Sequence, residues 1–186
     1  MFYLQLDEKQ IEKVNKLFEL SPILAKEAIQ NSLKKAANLA RKLEKEHIEK
    51  TYTADKEVLN NNNFKIKKKD SEFSFMASTK RNNLQNFNLS AKKPRASKEN
   101  LKGSVYKKSG SITMRTMFWG FYKKSSRVPQ FENSSLYIRN DEDRNHISKV
   151  KTVSAFQMTT GLTPEMERKV MEIFHKELDK KLDEVM

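Results

Sequence analysis

The 186-residue chain has no cysteine, and only four glycines, four prolines and three histidines. Without thiols there is no disulfide framework, no thiolate zinc site and no cysteine nucleophile. His47, His146 and His175 are the only nitrogen ligands left for a metal. Four glycines cannot furnish a phosphate-cradling loop, and no GxGxxG, Walker, GxSxG or HExxH pattern occurs. Also missing is a run of about 18 apolar residues that would span a membrane, and MFYLQLDEKQ has no basic stretch ahead of an apolar one, as a secretory signal does. We therefore expect a soluble chain, used in the cytoplasm or in an assembly built there, with no membrane contact, cofactor, metal or catalytic residue. Apolar residues make up 37% of the sequence, enough for a modest core. Part of the chain is expected to depend on a partner for its order.

What the sequence does have is charge, and it is unevenly placed. The net +13 divides into +1 for residues 1–63, +14 for residues 64–127 and −2 for residues 128–186. A concentrated field of this kind attracts phosphate or acidic protein surfaces, where a diffuse one would chiefly favour solubility. The densest stretch is AKKPRASKENLKGSVYKK, residues 91–108. Two readings stand: a solvated loop, or an arm ordered by a polyanion. Lys92, Lys93, Arg95, Lys98, Lys102, Lys107 and Lys108, with Lys123 and Lys124 further on, are the candidate interface or DNA-facing residues. Phe118, Trp119, Phe121 and Tyr122 precede that last pair and loosely resemble a base-stacking platform, although aromatics this dense in a strand are more often core.

Periodicity predicts helices at both ends. Asp7 can cap a first helix over residues 7–20, with Ile11, Val14, Leu17 and Phe18 on one face. Ser21 and Pro22 stop it and start another, in which Ile29, Leu33, Ala36, Ala37, Ala40 and Leu43 form the apolar stripe. His47 falls near its end, as a surface or C-terminal-dipole histidine and not a ligand. Thr53 is read as the cap of a short helix, TADKEVLN. Thr163 and Pro164 open a terminal helix whose stripe is Met166, Val170, Ile173, Phe174, Leu178, Leu182 and Val185. Within it His175 has Glu172 and Asp179 at i−3 and i+4, the spacing of a structural ion pair.

Between the helices the pattern changes to alternation. FKIKKK and EFSFMAST predict an antiparallel hairpin with one apolar and one basic face. Phe87, Leu89 and Ala91 give a third strand, ITMRTMFWGFYKK a long one covered on both faces, and Leu136 to Arg139 a short one. Asp141, Glu142 and Asp143 lack the glycine and bidentate glutamate of a calcium loop. The expected fold class is α+β, an antiparallel sheet from residues 64–139 packed by the long amino-terminal helix and the carboxy-terminal amphipathic helix, with a long basic loop. Residues 1–21 read as a helical extension and residues 22–186 as a single domain carrying the basic arm at about 91–108.

The order of segments resembles the phage minor tail protein Z family. A long helix (NSLKKAANLARKLEKEHIEKTY) leads into TADKEVLN, the basic hairpin and a strand ending FNLSAKKP. There follow SVYKKSGSITMRTMFWGFYKK, the strand LYIR, and KVKTVSAFQMTTG ahead of the last helix. The likeness covers roughly residues 28–185. Tyr52, Arg139 and the stretch Ser154, Ala155, Phe156, Gln157, Met158 fall where the family has a Tyr after its long helix, then a helix beginning with a small polar residue, read here onto TADKEVLN, a strand ending in Arg, and a YGPSVPQM-like stretch. The family's Leu-Pro-Ile approach to that stretch is replaced here by HISKVKTVSAF. The resemblance implies a non-enzymatic tail-completion protein, a homo-oligomeric ring of six copies at the head-proximal end of a phage or phage-like tail, assembled in the host cytoplasm. Its partners would be the tail tube or tail terminator and the neck proteins, with DNA passing through the lumen. The other reading of the same charge is a free nucleic-acid-binding protein using residues 64–127.

Overall fold

A computed structural model describes residues 4–69, 72–90, 101–114, 117–121, 134–139 and 147–185. The chain is α+β: long helices packed together, with small antiparallel sheets. The residues group into two compact units. One comprises Met1–Glu46, Phe64–Ala77 and Thr160–Met186, the other His47–Asn63 and Ser78–Thr159.

The first unit is built on α1 (Glu8–Leu20), most of α2 (Pro22–Thr51) and α4 (Pro164–Val185). Each start has its cap. Asp7 accepts from the Gln10 amide at 2.7 Å, the Ser21 hydroxyl from Leu24 at 3.5 Å and Thr163 from Met166 at 3.4 Å. Ser21 and Pro22 turn the chain so that α2 begins where α1 ends. Val14 and Leu17 of α1, Ala25 and Ala36 of α2, and Val170, Phe174, Leu178 and Leu182 of α4 form one buried cluster. The buried residues of α2 in this cluster are small, while α4 supplies the bulk.

The buried face of α1 differs from the expected one. Ile11 and Phe18 are over 40% exposed, whereas Gln10 is buried. Its amide explains this. Nε2 donates to Asp179 Oδ1 at 3.0 Å and to the His175 carbonyl at 3.3 Å, leaving Oε1 to accept from His175 Nδ1 at 2.6 Å. The orientation of the amide thus places the proton on Nδ1. His175 pairs with a glutamine 165 positions away, and among the described residues Glu172 is paired with Arg168 instead. The same unit carries the hairpin β1 (Phe64–Lys69) and β2 (Glu72–Ala77), in the expected antiparallel register from Phe64↔Ala77 to Lys69↔Glu72.

The second unit holds three more small sheets in place of one. β3 (Arg81–Asn83) pairs with β10 (Lys151–Ser154). β4 (Asn88–Leu89), β5 (Leu101–Ser104) and β6 (Ile112–Met114) form a second sheet, and β7 (Met117–Phe121), β8 (Ser134–Arg139) and β9 (Ile147–Lys149) a third. ITMRTMFWG, read as one strand, is therefore divided between two sheets, since β6 pairs with β5 and β7 with β8. Leu84, Leu89, Leu101 and Leu136 form one buried cluster of this unit, with Val105, Trp119 and Val150 packed on it, and Ile48, Val58, Phe87, Ala155 and Met158 are buried as well. Trp119 is partly buried against this cluster. TADKEVLN is a turn, with no helix. Asp55, not Thr53, caps it by accepting from the Glu57 and Val58 amides.

If the α4 stripe holds the first unit, Leu178→Ala should lower unfolding free energy by about 2–5 kcal/mol. Phe18→Ala, on the exposed side of α1, should change it by about 0.5 kcal/mol or less. Urea denaturation followed by circular dichroism measures both.

Candidate functional site

Of the nine basic candidates, three lie among the described residues. Lys102 sits on β5, and Lys107 and Lys108 follow it; all three are exposed. Lys92, Lys93, Arg95, Lys98, Lys123 and Lys124 lie outside the described residues, as do Ala91, Asp141, Glu142, Asp143, His146 and Tyr122.

The three lysines belong to a segment fixed against the end of α2. The Lys107 amide donates to Thr51 O and the Thr53 amide to Val105 O, each at 2.9 Å, on either side of the bridge between Tyr52 and Tyr106. Thr53 binds the two segments together. Its hydroxyl donates to the Ser104 carbonyl and accepts from the Asn88 amide at 3.2 Å. A side chain used this way is unavailable to cap a helix, which is why the reading of Thr53 as an N-cap fails. Ser104 in turn donates to Tyr106 O at 2.5 Å. The Tyr52 and Tyr106 rings lie 4.8 Å apart at 36°. Burial of the Tyr52 phenol, with a hydrogen bond to Tyr106 and that ring's charge, pushes its pKa up to about 12.

Beside this seam is an open cleft of about 860 Å³ lined by Glu49, Thr53, Asp55, Lys56, Asn88 and Lys107, among others. Two carboxylates and two ammonium groups give it no dominant sign. It suits hydrogen-bonded contact with a polar segment better than capture of a polyanion. Among the described residues no group of three His, Asp or Glu side chains is placed to hold a metal ion.

The stretch singled out for its family likeness is a tightly built turn. Ser154 ends β10 and caps α3 (Ala155–Met158). Its hydroxyl accepts from the Gln157 amide at 3.1 Å while Gln157 Oε1 accepts from the Ser154 amide at 3.0 Å, a reciprocal capping box. Ala155 and Met158 are fully buried, and Phe156 is 59% exposed. The Phe156 amide donates to Ser78 O at 2.9 Å and Asn82 Nδ2 to Val153 O at 2.8 Å, which fixes the turn from outside. Arg139 closes β8 opposite Ile147. Within this unit, Tyr52 and residues 154–158 belong to different seams.

Sequence reasoning missed Tyr106 and Thr53 as the partners that organise this region. For Gln157 a signal was present, since S-x-x-Q at positions 154–157 is the capping-box pattern. Comparison of the chain with protein-family models, with curated proteins and with solved structures finds no match in any of the three.

The Tyr52 environment has a measurable consequence. Its folded pKa lies above the unfolded value of 10.0, so its contribution to stability is complete below pH 10 and is lost as pH rises towards about 12. Ultraviolet titration of the folded chain should show one phenol ionising near 12, and Tyr52→Phe should remove that step.

Proposed function

We propose that the chain is a structural subunit of a phage or phage-like tail, acting at the head-proximal end in a ring of six copies that readies the tail for joining to the neck. The observation that carries this reading is the order of elements around the motif positions. A 30-residue helix is followed directly by Tyr52, a strand ends in Arg139, and residues 154–158 form a fixed turn before the last helix. That order is the one the minor tail protein Z resemblance implies for residues 28–185, except that TADKEVLN is a turn where the resemblance implies a short helix.

Two physical features support the same reading. Among the described residues, the second unit's strands are spread over sheets of two or three strands, whose edges neighbouring subunits could extend. The basic surplus is confined to residues 64–127, so it can face either DNA in the lumen or an acidic surface of a tail-tube, terminator or neck protein. Of the two, we favour residues 91–108 as an interface arm. In this account the protein does no chemistry and resides in the virion or tail particle.

The +14 over residues 64–127 favours a second reading as well, a free nucleic-acid-binding protein. The tail role predicts that particles made without this gene contain heads and tails that fail to join, seen by negative-stain imaging. Normal joined particles would rule it out. It also predicts that the isolated chain binds duplex DNA weakly and loses binding steeply with added salt, by about 10³-fold or more between 50 and 200 mM if six or more phosphates are contacted. Tight binding by a monomer at physiological salt would favour the second reading.

A further inference from the structure

The hairpin β1–β2 forms a two-stranded sheet of its own, and among the described residues neither strand has a second neighbour. A lone pair of strands is marginal in water unless a face is packed or an edge extended. β1 has its support. Lys68 Nζ donates to Gln30 Oε1 of α2 at 2.6 Å, and the buried Phe64 ring lies 5.7 Å from Lys45 Nζ of the same helix. β2 is the open strand. Glu72, Ser74 and Met76, on one face, are exposed, while on the other Phe73 and Ala77 are half-buried and Phe75, 39% exposed, stacks on Phe64 at 6.1 Å, so β2 meets solvent chiefly on the Ser74 face.

In an antiparallel pair every second residue directs its N–H and C=O away from its partner strand. β2 therefore presents a row of backbone donors and acceptors along its outer edge, and among the described residues no backbone group pairs with them. The two strands also differ in kind. FKIKKK is the lysine-guarded type of strand that discourages edge pairing, whereas EFSFMA has no lysine, no proline and no break in its register.

We propose that β2 accepts an added strand from another protein, and that this strand is acidic. The register supplies the chemistry. Lys65 lies opposite Met76 and Lys67 opposite Ser74, on one face of the ribbon. An acidic side chain on the added strand beside Ser74 faces Lys67 across two strand spacings, about 9–10 Å. The short Ser74 side chain leaves that path open to a glutamate and a lysine. The next two positions of the added strand lie beside Phe75 and Met76 and are apolar. The recognised segment is thus an extended one with an acidic residue next to two apolar residues, held by main-chain hydrogen bonds and selected by the lysine face. Duplex DNA would use the same lysines, but it would leave Phe75, Met76 and the backbone row uncovered. The inference is independent of the tail reading.

The test uses the full chain and a short labelled peptide with one glutamate followed by two valines at its centre, read by fluorescence anisotropy. Saturable binding is expected, weaker by about tenfold or more when lysine replaces the glutamate, or when N-methyl groups block the pairing edge of the peptide. Amide exchange over residues 72–77 should slow in the complex. Lys65→Glu with Lys67→Glu, both exposed positions, should invert the preference for glutamate over lysine while leaving the far-ultraviolet circular dichroism unchanged. No saturable binding, equal binding of the N-methylated peptide, or no protection of residues 72–77 would overturn the proposal. Tighter binding of a duplex oligonucleotide that displaces the peptide and is lost in the lysine variant would also overturn it, assigning the face to nucleic acid.

Discussion

Burial of one apolar stripe of α4 against small residues of α2 is the interaction on which the first unit rests. Val170, Phe174, Leu178 and Leu182 are each at most 3% exposed, and each such side chain contributes about 1.5–3 kcal/mol relative to exposure. Ala25 and Ala36 of α2 are fully buried in the same cluster, and Ser32 is fully buried on the same helix. Ser32 is polar but satisfied, donating to Ala28 O at 2.8 Å. Gln10 is the polar counterpart on α1, its amide engaged by His175 and Asp179, so that α1 is held on α4 by specific bonds as well as by Val14 and Leu17. Ion pairs at the rim, Lys13 with Asp183 and Lys35 with Glu177, are solvent-exposed and add little to stability.

The second unit is held differently. Among the described residues its sheets have two or three strands, and its buried apolar residues include a cluster of four leucines together with Ile48, Val58, Phe87, Ala155 and Met158. Side chains that bond to distant backbone take up much of the organisation. Thr53 reaches residues 88 and 104, Asn82 reaches residue 153, and Ser154 and Gln157 close a turn on each other. Such bonds specify geometry more than they add net stability, about 0.5–1.5 kcal/mol each. A unit so constructed gains from neighbours that extend its strands.

The helices were legible in the sequence because their signals are local. Asp7, Ser21 with Pro22, and Thr163 with Pro164 mark starts, and the α4 stripe repeats at three and four residues through its whole length. The β1–β2 hairpin was legible for the same reason. What failed was anything decided at a distance. Alternation in ITMRTMFWG gives strand conformation but names no partner, so it could not reveal that residues 112–114 and 117–121 serve separate sheets. Thr53 has the composition of a cap and is claimed instead by a carbonyl 51 positions away. Gln10 breaks an apolar stripe in the sequence, yet it belongs to the buried face once His175 and Asp179 are opposite it. Of the candidate site, the exposure of Lys102, Lys107 and Lys108 follows from composition, while the tyrosine pair beneath them depends on the bridge from Tyr52 to Tyr106.

Native-state hydrogen exchange resolved by residue tests most directly the claim that the α2–α4 contact is the stable centre of the molecule. The account predicts that the slowest amides lie in α2 around Ala36 and in α4 between Val170 and Leu182, and that the strands of the second unit exchange faster through local opening. Slowest exchange in β5 or β8, with α4 exchanging at the rate of an isolated helix, would contradict it.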